Sequence, residues 1–266
     1  MCGIAGFIAK DRQTFDPEIL DRLRNALGHR GPEGDGRYVK GPVGFIQTRL
    51  AIIDLDTGDQ PLFHENGSAL IANGEIYNYV ELRQNLCEAG FKTRSDSETI
   101  LRLYARDGIN GFDQLRGMYA FALHDAMENQ VVLCRDPFGI KQLYYVETPE
   151  FFAFASEAQA LVAAGLAGRT VREDARSELL QVQFTTGSDM ILDGIKRLLP
   201  GETLVLKNGR VVERRRRQVL GDKGIVGARL DGALTQWDRV FEESVRLHQR
   251  SDVDYAMFLS GGVDSA

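Results

Sequence analysis

A cysteine in second position, within Met1-Cys2-Gly3-Ile4-Ala5-Gly6-Phe7, is the residue of this chain best placed to do covalent chemistry. Excision of the initiator methionine leaves it at the amino terminus, where one residue carries both a thiol and a free α-amine. A free thiol has a pKa of about 8.5 and is only slightly ionised at neutral pH, whereas an α-amine sits near 7.7 to 8.0 and is the nearest base. With Met1 retained, the same nitrogen is an amide without useful basicity, and the cysteine is merely one that lies near the start.

Other residues invite a chemical reading with less force. The apolar run Tyr255 to Leu259 ends in Ser260-Gly261-Gly262-Val263-Asp264-Ser265. A strand feeding such a loop presents backbone N–H groups to an anion, although the Walker spacing is absent. Taken alone, Asn73-Gly74 signals a hairpin turn, Asp96 a helix cap and Arg49 a surface charge. His29, in a Gly/Pro loop, carries little weight. Cys87 and Cys134 read as packing residues, and the three cysteines form no metal-ligand pattern, so no metal is expected.

The elements that must position these residues are legible in outline. Asp16-Pro17-Glu18 before Ile19, Leu20, Leu23 and Leu27 opens a helix that Gly28 stops. Apolar, β-rich stretches follow near 43–54 and 68–73. Asn78 caps a helix carrying Val80, Leu82 and Leu86, and Ser95 to Glu98 forms a capping box before Ile100, Leu101, Leu103 and Tyr104. Strands are expected at 117–125, 130–135, 142–147 and 151–155, with turns at Glu128-Asn129 and Pro149-Glu150. A short helix near 157–164 and an irregular stretch to about 200 precede a strand pair at 203–206 and 210–213, joined by Lys207-Asn208-Gly209. A linker over 214–228 leads to an amphipathic helix with Leu234, Trp237, Val240, Phe241, Val245 and Leu247, and then to the apolar run.

Composition bounds the rest. A length of 266 residues and 43% hydrophobic content suit one large domain, 2–213, plus a piece of another, 229–266. No apolar run reaches a membrane-spanning length and no signal peptide is evident, so neither a membrane partner nor export is expected, and the cytoplasm is the expected compartment. A net charge of −6 argues against nucleic acid, and the run Arg214 to Arg217 reads as a solvated connector.

The opening Cys2-Gly3-Ile4-Ala5-Gly6, with His29-Arg30-Gly31-Pro32, Arg49-Leu50-Ala51-Ile52-Ile53-Asp54, Asn73-Gly74-Glu75-Ile76-Tyr77-Asn78, Ser95-Asp96-Ser97-Glu98 and Arg135-Asp136-Pro137-Phe138-Gly139-Ile140-Lys141, resembles the class II glutamine amidotransferases. Within them it is similar to the glutamine-hydrolysing asparagine synthetase family, whose ATP-pyrophosphatase loop the terminal Ser260 to Ser265 resembles. The resemblance implies an α+β, four-layer αββα N-terminal-nucleophile hydrolase fold, followed by the start of an α/β adenine-nucleotide α-hydrolase domain. It implies Cys2 as nucleophile and Asn73 with Gly74 as oxyanion donors. For L-glutamine it implies Arg49 on the α-carboxylate, Asp96 on the α-ammonium, and Ile52, Asn73, Gly74 and Glu75 lining the pocket. Leu259, Ser260, Gly261, Gly262, Asp264 and Ser265 would begin an ATP site. The glutaminase half needs no cofactor, whereas a complete synthetase domain needs ATP and Mg. The acceptor implied is a carboxylic acid, L-aspartate first, and a homodimer is compatible with the resemblance. The Arg135 to Lys141 loop reads as structural or interdomain.

Three departures bear on the acceptor. Gln142 stands where the family has proline, the stretch Phe184 to Asp189 lacks a Pro-rich segment, and Arg214 to Arg217 replaces an aromatic-containing one. They leave the glutaminase residues untouched and weaken the assignment of aspartate. A catalytically silent regulatory or scaffolding module of the same fold is the competing expectation. A penicillin acylase-like amidohydrolase is disfavoured, because paired Arg49 and Asp96 suit an amino acid.

Overall fold

A computed structural model describes residues 1–11, 14–86, 90–220 and 230–263. Twelve strands form two six-stranded antiparallel sheets. The first sheet has the order β10-β8-β9-β1-β3-β2, built from β1 (Gly3–Ala9), β2 (Gly34–Lys40), β3 (Val43–Arg49), β8 (Tyr144–Glu147), β9 (Phe151–Ala155) and β10 (Ile195–Arg197). The second has the order β12-β11-β7-β6-β5-β4, built from β4 (Leu62–Phe63), β5 (Ala69–Ile76), β6 (Gly117–Asp125), β7 (Gln130–Arg135), β11 (Glu202–Lys207) and β12 (Arg210–Arg216).

Alternation along β1 shows how the layers stack. Ile4 and Ile8 join Phe45, Ile71, Ala122, Leu133 and Phe154 between the two sheets, while Ala5, Phe7 and Ala9 pack with Leu20, Leu23, Leu27 and Leu161 on the opposite face. Those four leucines belong to α1 (Glu18–Leu27) and α4 (Ala158–Ala163). The outer face of the second sheet is covered by α2 (Tyr79–Asn85), α3 (Glu98–Asp107) and the 3₁₀ segment Gly108–Gln114, through Leu82, Ile100, Leu103 and Phe112. The result is the four-layer αββα sandwich that the family resemblance implies. Gly6 makes room for the ring of the neighbouring strand: a Cβ on it would lie 2.5 Å from Phe154, its partner on β9.

The hairpin signals at 128–129, 149–150 and 208–209 hold. Asn208 and Gly209 take φ values of 50° and 70° between the paired Lys207 and Arg210, as a two-residue turn with both central residues left-handed requires. Elsewhere the chain departs from expectation. The stretch 43–54 is a strand only to Arg49. Beyond it the Ala51 N–H donates to Glu33 at 2.6 Å and Asp54 adopts φ 57°, which breaks the pleat. The capping residues are used otherwise. Asn78 bridges to the Gln114 carbonyl and the Arg116 N–H, and the Glu98 carboxylate accepts from the Lys92 and Thr93 N–H groups. The irregular stretch contains α5 (Glu173–Val182), which buries only Ala175 and so shows no apolar stripe.

Strand β12 runs to Arg216, so most of the arginine run is paired sheet rather than connector. Arg214 binds Glu202 and Arg215 binds Asp113. The amphipathic helix forms as α6 (Leu230–His248), with Trp237 and Phe241 exposed and stacked on each other. The apolar run 255–259 forms no strand. No partner strand lies beside it among the described residues, and Met257 and Phe258 are exposed. No helix is long and apolar enough to cross a membrane among the described residues, and none of their His, Cys, Asp and Glu side chains group as a metal site.

Candidate active site

Cys2 precedes the first residue of β1, a strand flanked on both sides and buried throughout, so the thiol is held at the end of an interior strand. Its Sγ accepts from the Leu50 N–H at 3.4 Å and lies 3.5 Å from the Leu50 carbonyl. The Cys2 carbonyl accepts from Arg30 Nε at 3.0 Å, and Arg30 is anchored in turn by Glu157 at 2.8 Å. Cys2 opens to a cleft that is also lined by Met1, Gln47, Arg49, Leu50 to Ile53, Gly58, Gln60, Ala72 to Glu75, Ser95 to Ser97 and Lys141. Its interior volume is about 50 Å³, room for only a few waters, and Met1 forms part of its wall. Burial lowers the pKa of the terminal amine, and the nearby Arg30 and Lys141 charges add to that effect. By contrast, Cys134 is buried with its thiol pushed up to about 12 by loss of water, and Cys87 lies outside the described residues.

Asn73 and Gly74 are not a turn. They sit inside β5, paired with Ala120 and Tyr119 of β6. The Asn73 side chain is buried, and its Nδ2 has no hydrogen-bond partner among the described residues although it borders the cleft. A native structure rarely leaves such a donor unused without a reason. Gly74 is required by packing, since a Cβ there would lie 2.1 Å from the Met118 carbonyl oxygen.

Arg49 is not a surface charge either. It is 8% exposed, bonded to the Asp54 carbonyl and paired with Asp59 at 2.5 Å. Asp96 is no helix cap: its buried carboxylate accepts from the Ile76 N–H at 2.6 Å. Loss of water raises its pKa to about 6, against hydrogen bonds from Ile76 and Ser97 that favour the charged form. Ile52 and Glu75 complete the wall, and burial raises the Glu75 carboxyl as well. Every residue expected to hold glutamine therefore borders the one cleft. A cation, an anion, a thiol and an orphaned amide together are the complement of a zwitterion with a side-chain carboxamide.

The raised Asp96 pKa makes a testable statement. The carboxylate form is the one that can pair with an α-ammonium, so kcat/KM for an amino-acid substrate should fall about tenfold per pH unit below pH 6, and Asp96→Asn should flatten that limb. The sign for stability is opposite. With a folded pKa above the ordinary 3.8, the group's contribution is complete below about pH 4 and is lost as pH rises to 6, which urea midpoints across that window would read.

Gln47, Gln60 and Lys141 line the cleft and were not foreseen as site residues, and neither was Asp59, which pairs with Arg49 from outside it. Gln47 is 1% exposed with both side-chain polar atoms unpartnered among the described residues, and its place on the same face of β3 as Arg49 was the available signal. Lys141 arrives through the Arg135 to Lys141 loop, which is folded about the buried Asp136 carboxylate. That carboxylate accepts from the N–H groups of Tyr119, Phe138, Ile140 and Lys141. The loop is thus structural and also delivers a buried ammonium, 3.2 Å from the Met1 sulfur.

The segment expected to begin an ATP site is described only as far as Val263. Leu259 to Val263 are exposed, with no strand before them among the described residues. Asp264 and Ser265 lie outside the described residues.

Residues 1–216 match the family described as glutamine amidotransferase domain, and residues 236–266 match asparagine synthase. The whole chain is 34% identical to "Asparagine synthetase [glutamine-hydrolyzing] 1" of Bacillus subtilis (strain 168), of which it spans 43%. It is 32% identical to "Amidase chry2" of Gibberella zeae, of which it spans 42%. Among solved structures, glutamine phosphoribosylpyrophosphate amidotransferase from B. subtilis aligns with a TM-score of 0.59 at 24% identity, over 81% of this chain and 49% of that one. A structure titled as the allosteric regulatory enzyme of purine biosynthesis aligns with a TM-score of 0.62 at 23% identity, over 84% of this chain and 50% of that one. At those identities the two structures speak to the fold.

Proposed function

This chain belongs to the glutamine amidotransferase domain family, and on that premise we propose that its cleft hydrolyses L-glutamine to L-glutamate and ammonia through a γ-glutamyl thioester on Cys2. The observation that carries the proposal is the orphaned Asn73 amide bordering the same cleft as the Cys2 thiol. Once Met1 is removed, the freed α-amine takes the thiol proton as sulfur attacks the side-chain carbonyl. Asn73 Nδ2 and the Gly74 N–H are the proposed donors to the oxyanion. Collapse returns the proton to the leaving nitrogen and releases ammonia, and water then cleaves the thioester to glutamate. Arg49 and Asp96 hold the α-carboxylate and α-ammonium.

We assign the ammonia to ATP-dependent amidation of a carboxylic acid, with L-aspartate as the first candidate. The chain spans less than half the length of the relatives named above, and these include both an asparagine synthetase and a protein named as an amidase, so the acceptor is the open variable. A working Cys2 thiol suits a reducing compartment such as the cytoplasm.

Glutamate release from L-glutamine and from Nα-acetyl-L-glutamine, by protein whose N-terminus is verified by mass spectrometry, tests the reading. Acetylation removes the cation that Asp96 pairs with and leaves a buried carboxylate unmatched, so kcat/KM should drop at least about a hundredfold. Equal rates for the two substrates, or full activity in protein that retains Met1, would refute it.

A further inference from the structure

The end of α6 and the residues after it reach back to the cleft from the part of the chain that matches the second family. The His248 ring packs on Tyr77 with centroids 4.0 Å apart. Arg250 donates to the Tyr77 carbonyl and makes two bonds to Glu81, at 2.8 and 2.6 Å. Asp252 then ties down the opposite wall: its N–H donates to the Ile52 carbonyl at 2.9 Å, and its carboxylate accepts from the Asp54 N–H at 2.7 Å. Five residues thus span from Tyr77, two residues past the cleft-lining Glu75, to the cleft-lining Ile52 and its neighbour Asp54.

Asp54 is the point where this grip meets the substrate residues. It holds φ 57°, a strained conformation for a residue with a side chain, so something must keep it there. Its carboxylate accepts from the Thr57 N–H and hydroxyl and from the Arg94 N–H. Its carbonyl accepts from the Arg49 guanidinium. Asp252 is therefore one residue removed from the group assigned to the glutamine α-carboxylate.

We infer that residues 248–252 form a clasp across the mouth of the cleft, and that Asp252 is a positioning residue for glutamine, acting through Asp54 on Arg49. The inference rests on the glutaminase reading for its substrate, but not for its mechanics. Asp252 touches no reacting atom, so its loss should weaken binding and leave the chemical step alone.

The test uses the full chain with Asp252→Ala and Asp252→Asn, asparagine retaining an acceptor oxygen for the Asp54 N–H. Amide exchange of the 50–58 peptide, read by mass spectrometry, should speed up about tenfold in D252A and stay near the parent rate in D252N. Glutamine KM should rise about tenfold in D252A with kcat within about twofold, and D252N should recover most of the KM. Unchanged exchange in D252A overturns the clasp whether or not the protein hydrolyses glutamine. Faster exchange with an unaltered KM overturns the link to substrate and leaves the glutaminase reading standing. Equal loss of kcat and melting temperature in both variants marks a merely structural tie and also overturns it. Absence of glutamine hydrolysis in the parent protein defeats the glutaminase reading alone, and the exchange rates still decide the clasp.

Discussion

Replacing Cys2 by alanine is expected to reduce glutamate release by about a thousandfold or more while the melting temperature stays within about 2 °C of the parent. The reasons lie in two separate features. Sulfur is the only described thiol bordering the cleft, so no neighbour can take over its attack; Cys134, the other described thiol, is sealed between strands and held protonated. The side chain itself is partly exposed and makes only long contacts to Leu50, so its removal opens no core cavity. Serine at the same position keeps the shape and replaces the thiol with a far weaker acid, and should be nearly as inactive. Glutamate release within tenfold of the parent rate from the alanine variant would end the nucleophile assignment.

Asn73→Ala should separate catalysis from folding in the opposite way to an ordinary core substitution. The side chain is buried on β5, and its Nδ2 has no hydrogen-bond partner among the described residues. Such a donor carries a desolvation penalty of about 1–3 kcal/mol in the folded state, and alanine removes it. The volume lost works against that gain, so the two effects largely offset and the urea midpoint should move little. Catalysis has no such offset: losing one oxyanion donor typically costs about 3–4 kcal/mol, or about two to three decades in kcat, with KM nearly unchanged. A large fall in the urea midpoint with kcat preserved would show that the amide serves packing.

What the sequence disclosed depended on how far each signal travels along the chain. Strands β6 and β7 were readable to the residue, because apolar runs at 117–125 and 130–135 bracket a turn, and β11 and β12 were betrayed by Asn208-Gly209. Helices α1 and α3 show their apolar stripes. Strand β2 was missed, since only Tyr38 of its seven residues is buried and Gly-Asp-Gly opens it. Arg49 and Asp96 looked bland by themselves because their partners are set by the fold: the irregular chain after β3 brings Asp54 and Asp59 onto the first, and Ile76 of β5 binds the second. Their meeting in one cleft was implied by resemblance rather than by any local pattern. Lys141 and Asp252 were hidden for the same reason, being brought to the site from 139 and 250 residues beyond Cys2.

The burial of β1 to its first residue has a practical corollary for anyone producing this protein. Chain ends ordinarily fray and tolerate appended sequence, but here the thiol-bearing residue is pinned between Leu50 and Arg30 at the lip of the cleft. On the proposed mechanism any sequence left ahead of Cys2 keeps its nitrogen an amide, so a purification handle at that end belongs ahead of a protease site that leaves cysteine as the first residue.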